Sequence, residues 1–511
     1  MAPDSQFQTP PAADSINSRV VRGASLMVLL KLVDRGIGLV STIVLARLLV
    51  PADFGLIALA GSLIAMLEVL GAVGLDTALI QRSDARREHF DAAWTFHILF
   101  GLTTAVIVAG ITWPLAVYYQ EPRLAWVMPM IAIAHAIQAF ENIGVVAFRK
   151  ELEFDREFKY RVIRRVVTTF IVTIPLALIL ESYWALLIGS LAGSCITVAL
   201  SYALHPFRPR LSVVGLAQLM TVSKWFLLTS IVEFLYGRMA TLIIGRSNGP
   251  GAVGTFSLAV DIASLATQDI SAPIHRAVFP GYAKLAYDRT KLRLGYLRVT
   301  SVMLLFVLPS GIGISLLAEP IVFILLGAKW MEAVPLLRIL AIDAVLVVLL
   351  TTSHYVNLAV GMTRSTSLVL SLHAAMTIPM MLWSVPKYGP EGAAVSMLIS
   401  SIIVAPLNLI LLRRAISFGW GEMRHVLSRP LLGVLAMAGA ILSLQSQWTV
   451  PGTLIGHLAH AFAGTLLGGS VYSVTVLLLW RWQGNADSAE SWIVARVAVL
   501  AGTARARLGF P

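Results

Sequence analysis

Runs of about twenty mainly apolar residues recur along the whole chain and constrain its folding more than any other feature. They lie near 24–45, 55–80, 90–115, 124–147, 163–180, 183–204, 222–245, 252–275, 299–318, 333–358, 366–385, 391–412, 431–447 and 453–480, fourteen in all. A helix of that length, rising about 1.5 Å per residue, crosses the roughly 30 Å of hydrocarbon in a bilayer. Lipid offers no partner to peptide N–H and C=O groups, so a spanning segment must close its own backbone hydrogen bonds. The expected fold class is therefore an all-α polytopic membrane protein with about 14 transmembrane helices. The Gly249, Pro250, Gly251 turn breaks the chain before the eighth run, and internal charges interrupt 252–275 and 333–358.

Charge sets the orientation. Only 13% of the 511 residues are Asp, Glu, Lys or Arg, against 57% apolar, about half the charge of a water-facing domain. With an even number of crossings, 29 lysines and arginines collect on the side of the two termini, and five (Arg47, Arg123, Arg246, Lys329 and Lys387) fall on the other. That asymmetry places both termini in the cytoplasm. The net charge of +12 sits in short clusters between apolar runs, which suits anionic membrane lipids as partners and not nucleic acid.

Two charged segments, Arg149–Arg165 and Lys284–Arg298, follow the fourth and eighth runs and hint at two halves. The first places Leu152, Phe154, Phe158 and Val162 among charges, as an amphipathic helix on the membrane surface or a membrane helix extended into water would. The expected organisation is a cytoplasmic tail over 1–19, an N-terminal lobe over 20–210, a C-terminal lobe over 211–415, two additional helices over 416–482 and a cytoplasmic tail over 483–511.

Charges inside spans are costly unless a partner or a cavity receives them. Lys31, Asp34 and Arg35 share one helical face of the first span, a net +1 suited to an anion such as phosphate; the alternative is an ion pair with one cation reaching the interface. Arg238 is expected to face a cavity between the halves, and Arg276 is a further cationic candidate. Asp261 and Asp269 are candidates for ion coupling, with helix capping or interhelical bonding as the plainer role for Asp261. Glu68, Asp76, Glu141, Glu233, Arg338 and Asp343 complete the set. His97, His135, His354 and His373 each stand alone among apolar residues; no metal-spaced set exists, and interfacial or buried hydrogen bonding is their expected role. Cys195 is the only cysteine, so no intrachain disulfide can form. Neither a Walker sequence nor a nucleophile elbow occurs, and the loops are too short for a catalytic domain; no enzyme activity and no cofactor are expected.

The stretch LARLLVPADFGLIALAGSLIAMLEVLGAVGLDTALIQR, from Leu45 to Arg82, resembles the first two helices of bacterial polysaccharide exporters related to the O-antigen and colanic-acid flippases. Arg47, Pro51, Asp53, Phe54, Gly55, Gly74, Ala78, Leu79, Ile80, Gln81 and Arg82 carry the match, with Val50 and Ala52 replacing the usual Thr and Glu. FRKELEF at 148–154 and YWAL at 183–186, which contains Trp184, are similar to later segments. The resemblance implies the multidrug/oligosaccharidyl-lipid/polysaccharide exporter superfamily: two six-helix lobes around a cavity, with two further C-terminal helices in the polysaccharide branch. It also implies translocation of an undecaprenyl-diphosphate-linked oligosaccharide from the cytoplasmic to the periplasmic leaflet of the bacterial inner membrane, with a polysaccharide polymerase or export complex as partner. A multidrug exporter, a lipid II flippase and a non-transporting scaffold of a polysaccharide synthase remain alternatives.

Overall fold

The structure is a computed structural model that describes residues 13–71, 74–82, 84–151, 153–216, 223–448 and 452–482; the expected tail at 483–511 lies outside them. No strand occurs among the described residues. Nine of their helices are long and apolar enough to cross a membrane, or ten with one bent pair counted as a span. The chain divides into two compact units, residues 1–238 with 249–251 and residues 239–248 with 252–511. The expected lobe boundary stood earlier, at 210/211.

The first unit contains α1 (Ala13–Leu48), α2 (Pro51–Gly71), α3 (Leu75–Gln81), α4 (Arg87–Tyr119), α5 (Leu124–Gln138), α6 (Val145–Lys150), α7 (Phe154–Leu180) and α8 (Trp184–Leu204). α5 packs on α2, α4 and α8, while α1 packs along α7. Hydrocarbon supplies no hydrophobic drive between helices, so close approach through small residues does that work. A Cβ on Gly189 or Gly193 of α8 would strike Thr173 or Thr168 of α7, and one on Gly101 of α4 would strike Ala139. Within α7, Val167–Thr173 widens into a π-helix. Pro175 follows at once and has no N–H to give the preceding turn, which accounts for the local widening.

Two apolar runs expected to be continuous are broken. The run 55–80 becomes α2 and α3, joined at Gly74 with φ 67°, a left-handed conformation natural to glycine. The run 124–147 becomes α5 and α6, and buried Asn142 holds the break open. Its amide nitrogen donates to the Phe207 carbonyl at 2.7 Å, its Oδ1 accepts from the Gly144 N–H at 2.9 Å, and its own N–H donates to Ser201 Oγ at 2.9 Å. A local side-chain bond of this kind competes with the helical ladder. Arg149–Arg165 is not a separate surface helix either: from Phe154 onward it is the charged first half of α7.

The second unit holds the remainder of α9 (Ser223–Leu265), then α10 (Gln268–Leu285), α11 (Arg289–Leu316), α12 (Ala318–Leu325), α13 (Ala333–Ala359), α14 (Thr363–Ile416), α15 (Trp420–Gln447) and α16 (Leu454–Trp482). α9 is interrupted at Gly249 (φ 77°) and α14 at Gly389 (φ 62°), each followed by a proline. Glycine accepts the left-handed turn, and proline suits the first position of the next helix. The 54 residues of α14 would measure about 80 Å at helical rise, far beyond one bilayer crossing, and the non-helical Gly389 divides them into two helices. Lys284–Arg298 is likewise split. Asp288 starts α11 by accepting the N–H groups of Thr290 and Lys291, both at 3.1 Å. α15 and α16 share one core with α11 and α13: Leu304, Leu308, Val345, Val348, Val434, Met437, Ile441, Tyr472 and Val476.

Two stability predictions follow from this packing. Gly189→Leu should cost about 1–3 kcal/mol by overpacking, read as a lower melting temperature of the purified protein. Gly439→Leu, with nothing within 4 Å of its Cβ position, should leave that temperature nearly unchanged. The second concerns His205, beyond the end of α8, whose ring lies 5.1 Å from that of Phe148. Burial, with Arg156 and Arg208 nearby, pushes its imidazole down to about 4. The unfolded chain would take up that proton near the ordinary histidine value of about 6.5. Stability should therefore fall as pH drops from about 6.5 toward 4, and His205→Gln should flatten that fall without changing the melting temperature at pH 8.

Candidate functional site: a charged cavity in the first unit

A cavity of about 440 Å³ lies within the first unit, walled by α2 to α7. Carboxylates, guanidiniums and imidazoles from six helices and one turn meet there. On one wall Glu68 of α2 stands 3.0 Å from His135 Nδ1 of α5, and Asp76 of α3 stands 3.9 Å from His97 Nε2 of α4. On another, α7 turns its charged face inward. Buried Glu157 takes Arg149 of α6 at 2.6 Å and Arg161 at 2.9 Å on the same oxygen, and the Tyr160 hydroxyl donates to Glu141 Oε1 at 2.6 Å. The Arg164 guanidinium lies 5.8 Å from the Tyr160 ring. The break at Asn142 is what delivers Glu141 to this cavity, since a continuous helix would carry the chain past it.

His97 and His135 are isolated only along the chain; in space each faces a carboxylate from another helix. Spacing could not reveal it, because the partners lie 21 and 67 positions away. His373 is similar: in the second unit the Ser401 hydroxyl donates to buried Asp343 at 2.5 Å and lies 3.3 Å from His373 Nε2.

The cationic candidates are distributed along the chain. Lys31, Asp34 and Arg35 are half-buried on α1, and Asp34 also meets Arg165 of α7 at 4.0 Å, a partner not expected from the sequence. Lys31 and Arg35 each have an interacting neighbour. Arg238 of α9 is exposed in the first unit. In the second, Arg276 is exposed and its Nε donates to the Ala272 carbonyl at 3.4 Å, Asp261 is exposed and Asp269 half-buried.

The motif residues shape turns. Pro51 opens α2, and buried Asp53 in its first turn receives the Val50 N–H at 3.5 Å, a carboxylate where the helix dipole favours one. Gly55 is buried, Phe54 packs near Leu45 and Leu49, and Arg47 is exposed. Arg82 pairs with Asp84 at 2.8 Å. Lys150 closes the end of α3 by donating to the carbonyls of Leu79 at 3.3 Å and Arg82 at 2.9 Å. The Gln81 side chain lies outside the described residues. At the start of α8, Trp184 stacks on Tyr183, whose ring faces Arg123 at 5.9 Å. Arg123 in turn donates to Glu121 at 2.8 Å, and that bond holds the Glu121 carboxyl below its usual range.

Known proteins fit this architecture. The chain is 24% identical over 477 residues to the succinoglycan biosynthesis transport protein ExoT of Rhizobium meliloti (strain 1021), covering 91% of this chain and 94% of that one. It is 24% identical over 340 residues to the lipopolysaccharide biosynthesis protein WzxC of Escherichia coli (strain K12), covering 65% and 68%. Among solved structures, lipid II flippase MurJ in an inward closed conformation superposes with a TM-score of 0.71 at 14% identity, over 89% of this chain and 98% of that one. An inward-facing multidrug resistance transporter of the MATE family, in the MOP superfamily, superposes with a TM-score of 0.62 at 16% identity, over 76% and 98%. The family model described as polysaccharide biosynthesis protein matches residues 44–335, more than half of the sequence, and the chain belongs to that family.

Proposed function

We propose that this protein is a flippase that moves a polyprenyl-diphosphate-linked oligosaccharide from the cytoplasmic to the periplasmic leaflet of a bacterial inner membrane. The observation that carries this reading is the nearly end-to-end alignment with a succinoglycan biosynthesis transport protein, within a family named for polysaccharide biosynthesis. An all-helical membrane chain can shelter the sugars in a polar interior while the prenyl tail stays in lipid, with no covalent step and no enzyme activity of its own. The proposed path has fourteen crossings, with both termini in the cytoplasm. α9 and α14 each supply two spans, divided at Gly249 and Gly389.

For the diphosphate we propose Lys31 and Arg35 of α1, with Asp34 offsetting part of their charge, and Arg238 and Arg276 as further cationic positions. Guanidinium and ammonium groups bind phosphate best where water is partly excluded. Asp261 and Asp269 are proposed as ion-coupling positions, and a polysaccharide polymerase or export complex as partner.

The test is flipping of a fluorescent undecaprenyl-diphosphate-linked oligosaccharide in proteoliposomes, with lipid II as the control substrate. Charge-assisted hydrogen bonds contribute about 1.5–3 kcal/mol each, so Lys31→Gln with Arg35→Gln should slow flipping by at least about tenfold at unchanged protein abundance. Unchanged flipping would remove both residues from the site. Transport of lipid II alone would replace the proposed substrate.

A further inference from the structure

We propose that a groove along α14 binds one zwitterionic phospholipid of the phosphatidylethanolamine type, with its headgroup at the Gly389 turn and one acyl chain laid along the two helices. This site lies in the second unit, stands apart from the charged cavity and is independent of which substrate is flipped.

The groove has a volume of about 590 Å³ and is lined by α14 alone, from Pro379 to Tyr388 before the turn and from Glu391 to Ile399 after it. Small-molecule sites span roughly 300–1,000 Å³. The floor is fixed where the two helices touch. Gly392 lets them close up, since a Cβ there would lie 2.7 Å from the Ser384 carbonyl oxygen. The buried Ser384 and Ser396 hydroxyls both donate to the Gly392 carbonyl, at 2.9 and 2.7 Å. With those protons committed, neither serine can donate to a ligand. The rest of the shaft, Pro379, Met380, Val395 and Ile399, is apolar. From Gly389 to Ile399 it runs about 15 Å at helical rise, half the thickness of the hydrocarbon. An apolar shaft one leaflet deep suits an acyl chain; a sugar placed there would leave its hydroxyls without partners.

The mouth has the opposite chemistry. Trp383 and Tyr388 are 60% and 62% exposed, with ring centroids 6.2 Å apart and planes tilted by 55°. The Lys387 ammonium lies 4.1 Å from the centre of the Trp383 ring, and exposed Glu391 stands just beyond the turn. Lys387 and Glu391 are the two charges at this end of α14, one of each sign. A diphosphate would meet Glu391 as a like charge, whereas a zwitterion satisfies both residues. Lys387 takes the lipid phosphate through a charge-assisted hydrogen bond, and Glu391 with the aromatic faces takes the ammonium. A primary ammonium can donate to the carboxylate and a quaternary one cannot, which selects ethanolamine over choline. Tryptophan and tyrosine also settle at headgroup level in bilayers, so the mouth stands at the depth where such a headgroup lies.

The experiment titrates the full chain, delipidated in detergent, with phosphatidylethanolamine, phosphatidylglycerol, phosphatidylcholine or undecaprenyl diphosphate, and counts bound lipids by native mass spectrometry. Wild type should retain one phosphatidylethanolamine at about one-tenth the concentration that the other lipids require, the difference that one charge-assisted hydrogen bond makes. Glu391→Lys should reverse the order in favour of phosphatidylglycerol. Ile399→Trp fills the shaft from an exposed position and should weaken phosphatidylethanolamine retention by about tenfold or more, at an unchanged melting temperature in lipid-free detergent. Equal retention of all four lipids, indifferent to both substitutions, would show general boundary lipid and overturn the site. Preferred retention of undecaprenyl diphosphate that Ile399→Trp abolishes would overturn the zwitterionic assignment. Neither result bears on whether the protein flips a lipid-linked oligosaccharide, which the proteoliposome assay reads separately.

Discussion

A charge or an unpaired peptide group in hydrocarbon has no water to turn to, and the layout of this protein is a set of answers to that constraint. Backbone groups are satisfied within helices, so the described residues contain no strand. Side-chain charges are satisfied by crossing between helices. Asp34 of α1 reaches Arg165 of α7, Glu68 of α2 reaches His135 of α5, and Glu157 of α7 gathers Arg149 of α6. Each pair ties together segments that lipid alone would not hold in register, because tails as apolar as leucine give helices no hydrophobic reason to associate.

The same constraint explains where the helices stop. Breaking a membrane helix exposes donors and acceptors, so every break needs a local replacement. At 139–144 the replacement is Asn142, which bonds to Gly144, Phe207 and Ser201. At 249 and 389 a left-handed glycine is followed by proline, the one residue with no N–H to leave unpaired. At the end of α3 it is Lys150, bonding two carbonyls that the helix can no longer use. The breaks at α3 and α6 then do more than turn the chain, since they place Asp76, Glu141 and Arg149 around one cavity.

The membrane fold was legible because it depends on local composition: the apolar runs fall mainly on helices among the described residues, and the Gly249–Pro250 interruption announced itself in the sequence. The internal breaks at Gly74 and Asn142 were not legible, because apolarity continues through both while one left-handed turn and one side-chain bond decide the path. The cavity was legible only in part. Glu68, Asp76 and Glu141 stood out as charges out of place, but their partners did not, since a histidine dozens of residues away becomes a neighbour only once helices are packed. Arg149–Arg165 could be read either as a surface helix or as a membrane helix extended into water for the same reason: Arg149, Glu157, Arg161 and Arg164 line a cavity that the sequence does not display.

All of this assumes that the basic clusters mark the cytoplasmic face, and that assumption can be measured without any substrate. In a Cys195→Ser background, Tyr287→Cys at the α10–α11 turn and Lys387→Cys before the Gly389 break should lie on opposite sides, because three crossings separate them. A membrane-impermeant maleimide applied to intact spheroplasts should label Lys387→Cys at once and Tyr287→Cys only after the membrane is opened. Labelling of Tyr287→Cys from outside, or of both positions from one side, would contradict the orientation and the direction of transport built on it.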